Sequence, residues 1–194
     1  MPWTIDDILD ATHGELAAGA RGPSFDSIGI DSRTITAREA FVAIHGDVHD
    51  GHRFIGDVLN QGIRGIVIRR DRVGAVRPLL EMHRDIACVA VDDTLRALGE
   101  LGGFHRRRSP AAVAAITGSN GKTSTRRMAA EILSRRFTVL EPAKNLNNQI
   151  GVPLTLLRLE PTHQWAVLEL GTNQPGEIAR LSEICTPDIG VITN

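Results

Sequence analysis

The chain has 194 residues, 42% of them apolar and 23% charged, a composition ordinary for a soluble globular protein and long enough for one large or two small domains. Its formal net charge of −1 removes the electrostatic case for nucleic acid as a main partner, and the one dense basic run, Arg106-Arg107-Arg108, reads as a solvated helix end. No apolar stretch reaches the roughly 20 residues needed to cross a bilayer, so no membrane insertion is expected.

The N-terminal stretch MPWTIDDILD is acidic and amphipathic rather than signal-like, and Cys88 and Cys185 sit in apolar segments as buried free thiols; both point to the cytoplasm. Residues Thr4 to Ala11 have a helical rhythm with Thr4 as N-cap, ended by Gly14. Phe25 to Ile30 alternates like a strand and delivers Asp31-Ser32-Arg33 at its end. A second strand, Ala40 to Ile44, breaks at Gly46 into a loop carrying Asp47, His49, Asp50, Gly51 and His52. That loop repeats no zinc or calcium ligand spacing, so polar recognition or plain solvation is preferred to a metal site. Arg53 to Asn60 reads as helix, Gly65 to Ile68 as strand, Arg77 to His83 as helix, Ile86 to Val91 as strand, and Asp92-Asp93-Thr94 cap a helix over Leu95 to Arg107. Ser109-Pro110 stops it.

The second half repeats strand and helix: Val113 to Thr117, Arg126 to Arg136, Phe137 to Leu140, Ile150 to Leu159, Trp165 to Leu170, Gly176 to Ile184, Ile189 to Thr193. Its strands are near-continuous apolar runs, as burial on both faces of a parallel sheet requires. The predicted fold class is α/β: a small N-terminal mixed α/β domain, residues 1–108 (a compact core of about 1–91 plus the connecting helix), followed by a P-loop domain with a mostly parallel open sheet, residues 109–194, incomplete at its C-terminus.

Between the strand Val113 to Thr117 and the helix after it lies Gly118-Ser119-Asn120-Gly121-Lys122-Thr123-Ser124. Glycines let successive N–H groups converge, Lys122 adds a mobile cation, and the helix N-terminus adds positive dipole; a nucleoside triphosphate is the expected guest. The hydroxyl after the lysine, Thr123, is the expected inner ligand of its Mg2+, and Glu169, ending the strand AVLEL, can reach the same ion. The general pattern G-x-x-x-x-G-K-[ST] would put a further glycine where this chain has Ile116. Asn145, Asn147 and Asn148, at a strand-to-helix loop on the same sheet edge, read as substrate contacts, with turn residues as the alternative.

These stretches together resemble the Mur ligase family. ITGSNGKTS is similar to the family's own phosphate loop, which also lacks that first glycine. NLNNQIGVPLTLLRL and LELGTNQPGEI are similar to segments of the member that adds D-alanyl-D-alanine, and IDSRTI and FVAIHGDVHDGHRFI resemble the N-terminal domain that holds the uridine diphosphate end of the substrate. The resemblance implies an ATP-dependent amide ligase of peptidoglycan precursor synthesis: the carboxylate of UDP-N-acetylmuramoyl-tripeptide is phosphorylated by ATP, and the amine of D-alanyl-D-alanine attacks the acyl phosphate. It implies that Gly118 to Thr123 hold the phosphates, that Lys122 steadies the transferring phosphoryl, and that Thr123 and Glu169 serve Mg2+. Asp31, Ser32, Arg33 and His52 would then contact the nucleotide sugar, with Asn145, Asn147, Asn148 and Asn173 along its path. Family members continue past ITN, so a monomeric piece that does not ligate alone is the expectation. The alternatives are a non-catalytic nucleotide- or UDP-sugar-binding module and another family member, such as the one adding the third amino acid.

Overall fold

The computed structural model describes residues 2–46, 50–83, 85–143 and 146–194. The chain divides by compactness into Met1–Leu98 and Gly99–Asn194.

In the first unit, Thr4 both ends β1 (Trp3–Thr4) and caps α1 (Ile5–Thr12). Its hydroxyl accepts the Asp7 N–H at 3.1 Å while the Asp7 carboxylate accepts the Thr4 N–H at 2.9 Å, a reciprocal box that satisfies two otherwise orphaned donors. Ile5, Ile8 and Ala11 make the buried stripe of α1. Next come β2 (Glu15–Ala18), β3 (Ser24–Phe25), β4 (Ser27–Gly29) and β5 (Glu39–Val42). The strand expected over Phe25 to Ile30 is thus two strands. The break at Asp26 is a change of partner: β3 runs antiparallel to β1, whereas β4 runs parallel to β5.

A 3-10 turn, Gly51–Phe54, capped by the Asp50 side chain, leads into α2 (Ile55–Asn60), β6 (Gly65–Arg69), α3 (Val73–Met82) and β7 (Ala87–Val91). Helix α3 begins four residues before the predicted Arg77 and carries Pro78 inside it. The sheet order is β2-β7-β6-β5-β4; β4 to β7 are parallel, and only β2 is antiparallel, to β7. Phe41, Ile55, Val58, Ile63, Ile66, Ile68 and Cys88 form its core.

Helix α4 (Thr94–Arg108) begins in the first unit and continues into the second, which adds β8 (Ala112–Gly118), α5 (Lys122–Ser134), β9 (Val139–Leu140), α6 (Gly151–Leu156), β10 (Trp165–Glu169), α7 (Glu177–Cys185) and β11 (Ile189–Thr193). Its sheet is fully parallel, in the order β11-β8-β10-β9. Alternation sorts the side chains: Val113 and Ala115 pair with Ala166 and Leu168 on the face covered by α6 and α7, while Ile116 and Val167 turn to α5 and Ala130. Strand β11 departs from the expectation of two-sided burial, with Ile189, Val191 and Ile192 exposed.

Arg106 corrects another expectation. It is buried rather than solvated, with its guanidinium 2.8 Å from the Asp188 carboxylate and donating to the Cys185 carbonyl at 3.2 Å; Arg107 and Arg108 alone face water. Cys88 and Cys185 are both buried and free, and burial pushes the first thiol up to about 12 and the second to about 11. No helix among the described residues is long and apolar enough to cross a membrane.

Candidate functional site

Because β8, β10 and β11 are parallel and in register, Gly118, Glu169 and Thr193 all arrive at one sheet edge, the carboxyl edge where such sheets take ligands. Gly118 has φ 134°, and a Cβ there would lie 2.0 Å from the Thr193 carbonyl oxygen, so only glycine fits between β8 and β11. Gly121, at φ 80°, turns the chain into α5. The sequence therefore dictates a tight loop whose end is a helix N-terminus, with first-turn N–H groups directed outward.

Ser119 and Asn120 are exposed on the loop, and their N–H groups donate to the Asn194 carbonyl at 2.7 and 3.4 Å. The Thr193 hydroxyl donates to the Asn120 carbonyl at 2.6 Å and lies 3.1 Å from the Thr117 carbonyl, tying the loop to β11. Lys122 bends back so that Nζ donates to the Gly118 carbonyl at 2.5 Å and the Ser119 carbonyl at 3.4 Å, which stations its charge over the loop. Ser124 is exposed in the first turn of α5.

The carboxylate of Glu169 is buried, and both oxygens are occupied. One accepts the Thr123 hydroxyl at 2.8 Å and the other the Asn147 amide at 2.9 Å. Thr123 and Glu169, 46 positions apart in sequence, thus touch. A carboxylate and a hydroxyl are hard oxygen donors of the kind Mg2+ takes, so this pair fits the ion expected with a nucleoside triphosphate. Sequence reasoning missed Arg126, which is 5% exposed, pairs with Glu141 at 2.8 Å and lies 3.9 Å from Glu169. Its spacing of three from Thr123, one helical turn along the same face, was the available signal.

The asparagines divide. Asn147 reaches Glu169, and its carbonyl accepts the Gly171 N–H at 2.7 Å. Asn148 turns its side chain to the N–H groups of Ile150 and Gly151, at 3.1 and 2.8 Å, capping α6. Asn173 is exposed, and its N–H donates to the Glu177 carboxylate at 2.7 Å. Asn145 lies outside the described residues.

In the first unit, Asp31 and Arg33 clasp each other. The Arg33 guanidinium meets both carboxylate oxygens, at 2.9 and 2.6 Å, and its N–H adds a third bond at 3.0 Å, while Ser32 offers its carbonyl to Gln61. The Arg33 side chain and then its N–H hold the Asp31 carboxyl down at about 2. The Arg33 side chain is 84% exposed, so its fork stands in water.

His52 is placed differently. Its ring is buried, with Nδ1 2.6 Å from Asp50 and Nε2 accepting the Arg69 N–H at 3.0 Å. Burial lowers its pKa in spite of Asp50. Burial also pushes Asp50 up, but the bonds from His52 and its neighbours prevail and bring it to about 2. Both ring nitrogens are therefore engaged, and His52 fixes the loop through Asp50 and Arg69 instead of offering a free nitrogen to a ligand.

His45, Asp50 and His52 have ligand atoms within 4.8 Å of one another. They nevertheless make a poor cation site. Because Nε2 of His52 accepts the Arg69 N–H, the proton of the neutral ring is on Nδ1, facing Asp50, and a metal at Nδ1 would require the doubly deprotonated ring. Asp47 and His49 of the same loop lie outside the described residues.

Comparisons with known proteins point to one family. Residues 24–106 match the family described as "Mur ligase family, catalytic domain" and residues 116–194 match "Mur ligase middle domain". The UDP-N-acetylmuramoyl-tripeptide–D-alanyl-D-alanine ligase of Treponema pallidum is 36% identical over 100% of this chain, which spans 43% of that ligase. A MurF crystal structure from Acinetobacter baumannii superposes with a TM-score of 0.87 at 37% identity, over 99% of this chain and 41% of that one. The MurF ligase of Thermotoga maritima in complex with ADP gives a TM-score of 0.73 at 28% identity, over 86% of this chain and 36% of that one. The chain thus spans less than half the length of the relatives it matches. Two matches to the same family, one in each part of the chain, and a likeness that runs nearly end to end show that the chain belongs to the Mur ligase family.

Proposed function

We propose that this chain supplies the nucleotide-sugar-binding and phosphate-binding parts of an ATP-dependent ligase that adds D-alanyl-D-alanine to UDP-N-acetylmuramoyl-tripeptide. The observation that carries the reading is the junction of Lys122, Thr123 and Glu169 at the carboxyl edge of a parallel sheet. The names of the relatives supply the substrates.

Each residue has a task that its geometry supports. The loop glycines and the α5 N-terminus present N–H groups to phosphate oxygens. Lys122, held by two loop carbonyls, exchanges them for the transferring phosphoryl group and offsets its charge. Thr123 and Glu169 would hold Mg2+, with Asn147 fixing the carboxylate from its other side. When bound, the ion would neutralise charge on the phosphates. The γ-phosphoryl passes to the tripeptide carboxylate with release of ADP, and the incoming amine displaces phosphate from the acyl phosphate to form the amide. The protein thereby acts by positioning and charge, with no covalent intermediate of its own.

Arg33 is the recognition residue for the UDP end. Its exposed fork leaves Asp31 for a diphosphate, a bidentate charge-assisted contact. Asp31 and Ser32 shape the turn, and His52 positions the neighbouring loop. A monomer working in the cytoplasm, where ATP and nucleotide-activated precursors coexist, fits two thiols that are buried and unpaired.

Calorimetric titration of UDP-N-acetylmuramoyl-tripeptide into the chain and into Arg33→Ala tests this placement. The account expects binding that weakens roughly tenfold to a hundredfold on substitution, the effect of losing one charge-assisted contact. Unchanged affinity in Arg33→Ala would remove the substrate from this turn.

A further inference from the structure

The guanidinium of Arg126 is out of place for a residue in the middle of a surface helix. It is buried, and a buried cation is unfavourable unless its charge is compensated. Compensation is partial. Nη1 meets the Glu141 carboxylate at 2.8 Å, but Nε is buried with no hydrogen-bond partner among the described residues and stands 3.9 Å from Glu169 Oε2, the oxygen that accepts the Thr123 hydroxyl. One permanent positive charge is therefore shared unequally between Glu141, which is partly exposed, and Glu169, which is not.

We propose that Arg126 is a positioning residue that holds the Glu169 carboxylate ready for a divalent cation and, by its own charge, weakens that cation's binding, with Glu141 setting how far. The inference rests on the reading of Thr123 and Glu169 as the Mg2+ pair. Its physical content is a competition: Arg126 compensates Glu169 before the ion arrives, and its charge then repels the ion that takes over that role. Glu141 draws the guanidinium away from Glu169 and so favours the ion.

The signs follow. Replacing Arg126 by a neutral side chain removes the repulsion, so the ion binds more tightly; a residue that merely supported the fold would, when removed, loosen Glu169 and weaken it. Replacing Glu141 leaves Arg126 to Glu169 alone, so the ion binds more weakly.

The test is the Mg2+ concentration that gives half-maximal binding of ADP, measured by calorimetry on the 194-residue chain at a series of Mg2+ concentrations. Arg126→Gln is expected to lower it about threefold to tenfold, Arg126→Lys to leave it near the starting value, and Glu141→Gln to raise it about threefold to tenfold. Should Arg126→Gln not fold, Glu141→Gln, at a partly exposed position, decides the sign by itself. A higher Mg2+ requirement in Arg126→Gln, or no change in Glu141→Gln, overturns the proposal. Glu169→Gln separates the layers. If it raises the Mg2+ requirement while the Arg126 and Glu141 variants fail their signs, only the present inference falls; if it changes nothing, the underlying assignment of the metal pair falls and takes this inference with it.

Discussion

A methyl group at residue 118 has nowhere to go. The backbone there is at φ 134°, outside the range that side chains accept, and the added carbon would sit 2.0 Å from the Thr193 carbonyl, where β8 and β11 pair. Gly118→Ala must therefore distort the loop or part the strands, and we expect a loss of more than about 2 kcal/mol in unfolding free energy, read by denaturant titration. An unchanged midpoint would mean that the loop adopts another path. Arg126 carries the opposite lesson at the same scale, since its position says nothing about burial until the sheet brings Glu169 beside it. In the same way Asn147 and Asn148, neighbours of one type, take unrelated tasks because one faces Glu169 and the other faces the open end of α6.

Local chemistry at the ends of elements carries much of the fold. The capping box at Thr4 satisfies donors at the start of α1, and Thr4→Ala should lower stability by about 1 kcal/mol in a thermal or denaturant melt; no loss would show that α1 is held by the packing of Ile5 and Ile8 alone. This helix was legible from residues 4 to 11 because cap and apolar rhythm agree. So were β8, β10 and the glycine loop, where an apolar run, two glycines and Lys-Thr occur in the order that strand, turn and helix demand. Partners were not legible. The segment from Phe25 to Ile30 has the alternation of one strand, yet Asp26 is where it leaves β1 and joins β5, a change made by distant residues. β2, four residues long beside β7, gave too little pattern to stand out, and α3 was read short because Gly74 and Pro78 weaken the helical signal that packing of Val76 restores. Neither the pairing of Arg33 with Asp31 nor the closed ring of His52 was legible, the latter because its second partner is the backbone of Arg69.

For the molecule as a whole, burial of imidazole sets the response to acid. Burial lowers the pKa of both His52, in the first unit, and His105, in the second, below 6.5. The unfolded chain then binds protons that the folded one refuses, so their contribution to stability is present above pH 6.5 and is lost as pH falls below it. Melting followed from pH 8 to pH 5 should show a falling midpoint, with a shallower fall in His105→Asn; a flat profile would contradict the buried neutral rings. The account's central claim is that the loop after β8 holds the phosphates of a nucleotide through Lys122, with the metal pair alongside. Its most direct measurement is calorimetric titration of ADP, with Mg2+ present, into the chain and into Lys122→Ala, each checked for an unchanged melt. The account predicts saturable one-to-one binding by the chain and a loss of roughly tenfold to a hundredfold in affinity on removal of the charge. No binding at millimolar ADP, or equal affinity in the two proteins, would contradict it.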